Sequence, residues 1–499
     1  MKETLPGGEW VSRASATVQA GKLPAWEVTE LPPPPPLSMR AILKAIGPGV
    51  ILLSISIGSG EWLLGPATVA KYGVALLWIT TVSILLQVLL NMEFIRYTMY
   101  TGEPILTGFM RTRPGSAFWG WFYTVCAWLQ MGWPGWALAS ATAIAAFILG
   151  RLPGAEDRGT VLFWGYATFL ACVAILAVGE RIERTLEKVS WFFVVWIIGY
   201  LLIIDMLLIS PSRWGALVKG YISFGTIPSG ADWFLLGAFA AYSGAGGLIN
   251  STVSNWARDK GFGMGGLVGY IPAVVGGRAI KLSATGKVFQ PTPEQLQRWK
   301  GWWKLAGVDQ YGLWAGGAFI GMGLPALLVM QYVEPGAELA GWATAAHIAG
   351  ALSQVGGSAL WALTLLVGFW ILFGTQIGIM DGFVRLATDN VWAGSTWVRQ
   401  RTGEDVRKVY YFFLILFTFS GCVLINVAQP LMLIAIGANI AGLNFVFLGI
   451  HTLVVNRRFL PKELRPSLLR QLALVLTVLF FTFFVAMLVL AQFFAVRLF

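Results

Sequence analysis

Residues 47–62 read GPGVILLSISIGSGEW, an apolar run in which Gly58, Ser59 and Gly60 are followed by a carboxylate, Glu61. Each glycine costs about 1 kcal/mol relative to alanine inside a helix, so two within three residues favour unwinding. A carboxylate in the middle of an apolar span indicates function, because an ionisable group is costly to bury in a membrane. The stretch therefore predicts an interrupted helix with a binding site at the interruption.

A second stretch repeats this pattern five spans later. It reads YSGAGG at residues 242–247 and is followed by Asn250 and Asn255. Two interrupted helices at corresponding positions of two five-span halves are typical of inverted-repeat transporters, whose site lies near the bilayer midplane. Freed carbonyls and half-helix ends at such breaks can coordinate a cation or an anionic group. The alternative is that these glycines only permit close helix packing.

The composition places the chain in a membrane. Of its 499 residues, 57% are hydrophobic and only 12% are charged, about half the charge of a soluble domain. Apolar runs long enough to cross about 30 Å of hydrocarbon recur along nearly the whole chain. They predict an all-α membrane protein with about eleven spans, at 42–70, 74–99, 117–149, 160–179, 189–209, 231–256, 309–332, 357–385, 409–427, 430–455 and 468–495.

The predicted organisation follows from these spans. A polar segment with five consecutive prolines, Pro32 to Pro36, precedes the first span and is expected to be extended and solvated. The predicted units are a disordered cytoplasmic tail at 1–40, a first five-span repeat at 41–210, a second repeat at 231–455 with a basic loop at 257–308, and an eleventh span at 468–499.

The distribution of Lys and Arg predicts the orientation. With the amino terminus inside, the cytoplasmic connections and their flanks hold 29 of the 35 basic residues and the opposite connections hold six. This asymmetry predicts a cytoplasmic amino terminus in a plasma or inner membrane. Trp299, Trp302 and Trp303 in the basic loop are compatible with an amphipathic piece at the headgroup surface, or with a loop that is only positive-inside.

Short motifs along residues 45–455 resemble the natural resistance-associated macrophage protein (Nramp) family of proton-coupled divalent metal transporters. The matching residues are Gly47-Pro48, Glu61, Lys71-Tyr72-Gly73, Leu76-Leu77-Trp78, Thr101-Gly102, Arg184 to Leu186, Trp214 to Ala216 and Met380 to Phe383. The resemblance implies a leucine-transporter-like fold of five plus five inverted spans with broken first and sixth helices. In that fold a substrate binds between the first and sixth helices, and access alternates as one bundle rocks against the other.

The chain departs from this family at the positions that carry its chemistry. The family's metal-binding Asp-Pro-Gly-Asn aligns with Gly58 to Glu61, and its Met-Pro-His aligns with Ala241 to Ser243. The acidic pair of the family's proton path aligns with Gly135 and Leu138. These departures remove the thioether and histidine and leave one carboxylate, Glu61.

The remaining donors limit the substrate. A thioether favours soft ions, whereas oxygen donors favour hard ions such as Mg²⁺ or Mn²⁺. A single carboxylate suits a monovalent cation, a largely hydrated divalent cation or a proton, and an organic solute with a positive group also satisfies it. The resemblance therefore implies a secondary transporter of a small cation, foremost a hard divalent metal ion, with Glu61 as its metal ligand.

The predicted substrate site comprises the two interruptions, and its residues are Gly58, Ser59, Gly60, Glu61, Ala240, Ala241, Ser243 and Gly244. The family's glutamine ligand in the tenth helix has no clear counterpart, and Asn439 is one of the nearest polar residues. Gln376, Asp381 and Asn439 are candidate gating or supporting residues. Asp381 and Arg385 are four residues apart on one helix, a spacing that predicts an ion pair with a structural or gating role.

Two other functions remain open from the sequence. One is a transporter of a small organic solute, such as an amine or amino acid. The other is a non-transporting membrane sensor with the basic loop as its output surface. An enzyme is disfavoured because no nucleophile and base pair or phosphate-binding loop occurs in a suitable context. No cofactor or nucleic acid is expected; the expected partners are the substrate, a coupling ion and the bilayer.

Overall fold

The structure, a computed structural model, describes residues 23–36, 38–278, 280–339 and 346–494. Within these residues, ten helices are long and apolar enough to cross a membrane. They are Pro48–Tyr72 (span 1), Val74–Thr101 (span 2), Ser116–Leu149 (span 3), Ala155–Ala177 (span 4), Ile182–Leu208 (span 5), Pro293–Tyr332 (span 7), His347–Gly394 (span 8), Val406–Leu424 (span 9), Pro430–Phe459 (span 10) and Leu468–Phe494 (span 11).

Span 6 is an eleventh crossing made of two helices, Trp233–Tyr242 and Leu248–Lys260. The prediction of an all-α membrane protein with about eleven spans is confirmed. Here the side of the bundle on which span 1 begins is termed the N-terminal face, and the side on which it ends is termed the opposite face. Four shorter helices lie in the connections, at Met39–Ala45, Ile105–Met110, Pro211–Tyr221 and Thr396–Thr402.

Proline and glycine shape two further spans. Span 3 consists of Ser116–Met131 and Gly135–Leu149, separated at Pro134, because proline removes a helix hydrogen bond and clashes with the preceding turn. Span 8 departs from helical geometry at Gly356 and Gly357, the latter with a φ of 60° that side-chain-bearing residues rarely adopt.

Span 1 lies at the centre of the bundle. Its most apolar 18-residue window is wholly buried inside the protein, whereas only a third of the corresponding windows of spans 4, 5 and 11 is buried. Span 1 therefore has protein neighbours on all sides. Spans 5, 6, 7 and 8 supply them.

The amino-terminal segment that the structure describes, residues 23–36, packs on the N-terminal face, and we name it the strap. A strand at Glu27–Val28 pairs in parallel with a strand at Lys287–Val288. Leu31 is fully buried, and its N–H donates to the Gln295 Oε1 at 2.7 Å. The prediction of a disordered tail is wrong for the strap, because backbone and apolar contacts with the basic loop order it; residues 1–22 lie outside the described part.

A buried ion pair anchors one end of the strap. Arg111 donates to the Glu103 carboxylate at 2.5 and 2.9 Å, donates to the Pro24 carbonyl at 2.9 Å and lies over the ring of Trp26. Burial alone would raise the pKa of Glu103, but the Arg111 charge and hydrogen bonds lower it below its ordinary value. This carboxylate therefore stays ionised at neutral pH and holds Arg111 in place.

The tryptophans of the basic loop belong to the protein interior rather than to the headgroup surface. They lie on the first turns of span 7, which begins at Pro293 rather than at the predicted residue 309. Trp299 and Trp302 are buried, and the Trp302 Nε1 donates to the Pro32 carbonyl of the strap at 2.8 Å. Trp303 is covered by the guanidinium of Arg96, at 4.2 Å from the ring centre.

We predict that Leu31→Ala lowers the apparent melting temperature of the purified protein by several degrees. The substitution leaves a cavity at a fully buried position, a change that costs about 2–5 kcal/mol in protein cores. Thermal unfolding in detergent, followed by size-exclusion chromatography, measures the effect. Val28→Ala is the matched control, because Val28 lies on the same strap and is 49% exposed; equal losses from both would contradict a packed strap.

Candidate functional site

The first predicted interruption is not an unwound segment. Residues Ile57–Leu64 form a π-helical stretch that continues the preceding α-helix, and its terminal residues keep right-handed helical backbone angles. The expectation of a broken first helix is therefore corrected to a helix with a local π-turn. Such π-turns are rare and concentrate at functional sites.

The glycines of this stretch allow span 1 to pass between two neighbours. A Cβ atom on Gly60 would lie 1.7 Å from the carbonyl oxygen of Tyr242 in span 6, and one on Gly58 would lie 1.7 Å from the Thr375 Oγ1 in span 8. The Thr375 hydroxyl donates to the Ile55 carbonyl at 3.0 Å. Both glycines thus serve close packing, the alternative that the sequence left open.

The second predicted interruption is present. Span 6 stops at Tyr242 and resumes at Leu248. Between them Gly244, Gly246 and Gly247 have φ values of 111°, 97° and 52°, which glycine adopts without a steric cost. The glycines of YSGAGG are therefore required by the backbone path, and the prediction of a broken sixth helix is confirmed.

Gln87 of span 2 caps one side of this break. Its Nε2 donates to the Ser243 carbonyl at 2.8 Å, and its Oε1 accepts from the Ala245 N–H at 3.1 Å. The adjacent Ser83 hydroxyl donates to the Ala240 carbonyl at 2.6 Å. A single amide thus satisfies a free carbonyl and a free N–H of the residues between the two half-helices.

Gln130 of span 3 caps the other side. Its Nε2 donates to the Gly246 carbonyl at 2.9 Å, and its Oε1 accepts from the Leu248 N–H at 3.0 Å. The Asn444 Nδ2 of span 10 donates to the same Oε1 at 2.8 Å. Gln130 and Asn444 therefore belong to the site. An amide side chain both donates and accepts hydrogen bonds, so a Gln or Asn on a span that packs against a break is the sequence feature that could have identified this cap.

The predicted residues of span 6 lie at the break. Ala240 and Ala241 are fully buried, and the Ser243 hydroxyl shares a 2.9 Å hydrogen bond with the Thr80 hydroxyl. Gly244 packs on Gln87, and its carbonyl oxygen lies on the side of span 1, 3.6 Å from the Cβ position of Gly60. The backbone oxygens of the break that approach Gly60 are thus those of Tyr242 and Gly244.

Glu61 is fully buried, and neither carboxylate oxygen has a hydrogen-bond partner among the described residues. Its Oε2 lies 3.7 Å from the Cβ position of Gly321 in span 7. Glu61 therefore faces span 7, whereas Gly60 faces the break in span 6. Ser59 is also buried, and the carboxylate of Glu61 lies on a different side of span 1 from the break.

The three candidate gating residues are dispersed. Gln376 is buried, and its amide oxygen and nitrogen have no partner among the described residues. Asp381 and Arg385 form the predicted ion pair at 2.8 Å, and Asp381 also accepts from the Tyr410 hydroxyl at 2.7 Å. Asn439 donates to the Phe234 carbonyl at 2.9 Å, away from the break.

Asp309, which the sequence reasoning missed, binds the beginning of span 1. Its carboxylate accepts from the N–H groups of Gly47 and Gly49 at 2.9 and 2.8 Å and from the Gln310 Nε2 at 2.8 Å. Helix N-terminal N–H groups need acceptors, and their partial positive charge favours a carboxylate. The rule that singled out Glu61, an acid inside a span, also identifies Asp309 once span 7 is extended to Pro293.

A chain of amides connects Asp309 with span 6. The Asn91 Nδ2 donates to the Gln310 Oε1 at 3.1 Å, and the Asn250 Nδ2 donates to the Asn91 Oδ1 at 2.9 Å. The start of span 1 and the second half of span 6 are therefore linked through buried hydrogen bonds. Within the described residues, no group of three His, Cys, Asp or Glu side chains has a geometry that could hold a metal ion.

The fold matches solved transporter structures, although no protein-family model and no curated protein matches the sequence. A crystal structure of the Eremococcus coleocola manganese transporter with an aromatic bis-isothiourea compound covers 94% of this chain and 90% of its own, with a TM-score of 0.58 and 15% identity. A mutant of that transporter covers 94% and 91%, with a TM-score of 0.60 and 14% identity. At this identity the likeness establishes the fold, and the predicted Nramp-related fold is confirmed.

We predict that Gly60→Ala destabilises the protein by about 1–3 kcal/mol or more, because the added methyl group collides with the backbone of span 6. Thermal unfolding in detergent measures the loss. Gly199→Ala in span 5 is the matched control, since its Cβ position has no neighbour within 4 Å, and alanine is the better helix former. If Gly60→Ala were as stable as the control, spans 1 and 6 would not be in the close contact described.

Proposed function

We propose that this protein is a secondary transporter that moves a small cation, foremost a hard divalent metal ion, by alternating access. The shared fold with a manganese transporter supports this proposal. We further propose that the N-terminal face is cytoplasmic, because the basic loop and most Lys and Arg residues lie on that side. The membrane would then be the plasma or inner membrane.

The observation that carries the proposal is that the Glu61 carboxylate is buried without a hydrogen-bond partner among the described residues. A carboxylate with no hydrogen-bond partner in a low-dielectric interior is strongly destabilising when ionised. Two species relieve this cost, a bound proton or a bound cation. Because Glu61 lies in the π-turn of span 1, one residue from the contact with the break in span 6, exchange between these species can be coupled to movement of the two helices.

The donors available in this part of the bundle favour a hard and partly hydrated cation. They are the Glu61 carboxylate, which faces span 7, and the Tyr242 and Gly244 carbonyl oxygens on the side of Gly60, and a movement of span 1 against span 6 would have to bring them together. Ala241 offers no ligand in place of a thioether. Oxygen donors suit Mg²⁺ and Mn²⁺, and Mg²⁺ keeps several water molecules when few carboxylates are available. One carboxylate and two carbonyls are too few for a dehydrated divalent ion, so the cargo would carry part of its water shell.

The closed arrangement of the site requires helix movement before a cargo can enter. Gly60 touches span 6 directly, and residues 58 to 61 are all buried. On the opposite face a cavity of about 320 Å³ lies between spans 1, 6 and 10, where Lys71 pairs with Glu338 at 3.0 Å and Asp232 at 3.6 Å. On the N-terminal face Asp309 holds span 1. Opening either side would break the corresponding contacts.

We predict that proteoliposomes containing the protein take up Mg²⁺ or Mn²⁺ in a saturable manner and that Glu61→Gln lowers this uptake about ten- to a hundredfold. The neutral amide cannot replace a charged ligand, whose interactions contribute about 1.5–3 kcal/mol. Glu180→Gln is the matched control, because Glu180 is exposed and distant from the site. Uptake of an organic amine but no metal ion would contradict the proposed cargo, and unchanged uptake by Glu61→Gln would contradict the proposed ligand.

A further inference from the structure

A second carboxyl group without a partner lies in span 5. Asp205 is fully buried, and neither of its side-chain oxygens forms a hydrogen bond within the described residues. It lies one helical turn before the end of span 5 at Leu208, close to the opposite face. Glu61 lies in the middle of span 1, so the two groups occupy separate places in the fold.

The groups that interact with Asp205 are neutral hydroxyls. Tyr200 lies on the same helix and shares a 2.5 Å hydrogen bond with Thr364 of span 8. Tyr332 lies at the end of span 7, and its hydroxyl donates to the Leu208 carbonyl at 3.3 Å. Spans 1, 4 and 8 also pack against span 5, and no Lys, Arg or His of the described residues forms an ion pair with Asp205.

The cost of an ionised carboxylate in such surroundings is several kcal/mol, whereas the protonated acid is tolerated far better. Separation of the ends of spans 5 and 7 would admit water to Asp205 and remove this cost. The packed arrangement therefore has a higher proton affinity at this group than a hydrated arrangement does. By linkage, a low pH on the opposite face must favour the packed arrangement, and a high pH must favour its opening.

We propose that Asp205 is a proton-binding site, separate from Glu61, and that the ends of spans 5 and 7 close on the opposite face with this carboxyl group protonated. The ligand is a proton taken from water on that face. The proposal concerns the closure of the bundle and does not depend on which cargo the protein moves.

A distance measurement tests this proposal without a transport assay. Spin labels are attached at Leu207→Cys on span 5, a position 73% exposed, and at Glu334→Cys, which is exposed just beyond span 7, with the three native cysteines replaced by alanine. Label separations in detergent-purified protein are recorded by pulsed electron resonance from about pH 5 to about pH 9. The expected result is one short separation at acid pH and a growing population of longer separations at alkaline pH.

Three variants decide the outcome. Asp205→Asn mimics the neutral acid and should keep the short separation at every pH, whereas Asp205→Glu should retain a pH-dependent change with a shifted midpoint. Glu156→Gln, an exposed carboxyl on the same face, should behave like the parent chain. The proposal is overturned if the parent chain shows no pH dependence or if Asp205→Asn keeps it. Should Asp205→Asn fail to fold, an unchanged midpoint in Asp205→Glu overturns it.

Discussion

The arrangement of this protein depends on the contact between Gly60 of span 1 and the Tyr242 carbonyl of span 6. The atom that a Cβ at position 60 would meet is a backbone oxygen, so no side chain can move aside to make room for a larger residue there. Span 1 passes through the centre of the bundle because glycine at 58 and 60 lets Thr375 and Tyr242 approach it from two sides. The same contact places Glu61 one residue away, where a helical turn directs it to span 7. The close approach of Gly60 to the Tyr242 carbonyl therefore determines both the packing of span 1 against span 6 and the position of Glu61.

The break in span 6 persists because side chains replace the hydrogen bonds that the helix gives up. In a membrane interior, water cannot satisfy free backbone groups, and each unsatisfied group costs several kcal/mol. Gln87 and Gln130 each donate one hydrogen bond and accept at least one across the break. Freed carbonyls that Gln87 and Gln130 hold are therefore not available to a substrate, whereas those facing span 1 stay candidates. Because these amides occupy some of the freed carbonyls, fewer oxygen ligands are left for a cation. This agrees with the proposal of a cargo that retains part of its water shell.

Sequence reasoning recovers the number of spans, the break in span 6 and the Asp381–Arg385 pair, because apolar length, glycine clusters and helical spacing are local properties. It does not recover the π-turn of span 1, since the same glycines permit either unwinding or close packing and only the neighbours decide between them. It misses the strap because Pro32 to Pro36 is typical of solvated tails, while burial of Leu31 depends on Gln295, which is far away in sequence. Asp309 was missed because its N–H partners lie on another span.

Three acids inside the bundle show how surroundings assign different tasks to the same chemical group. Asp309 accepts from three donors at the start of span 1, so it stabilises that helix end through hydrogen bonds. Glu61 and Asp205 accept no hydrogen bond from any residue that the structure describes, so a bound proton or cation would relieve the cost of burying either group. Glu61 directly follows Gly60, which meets the Tyr242 carbonyl oxygen of span 6, whereas the groups that interact with Asp205 are the hydroxyls of Tyr200 and Tyr332. This difference in neighbours is the reason that the two proposals give the cation to Glu61 and the proton to Asp205.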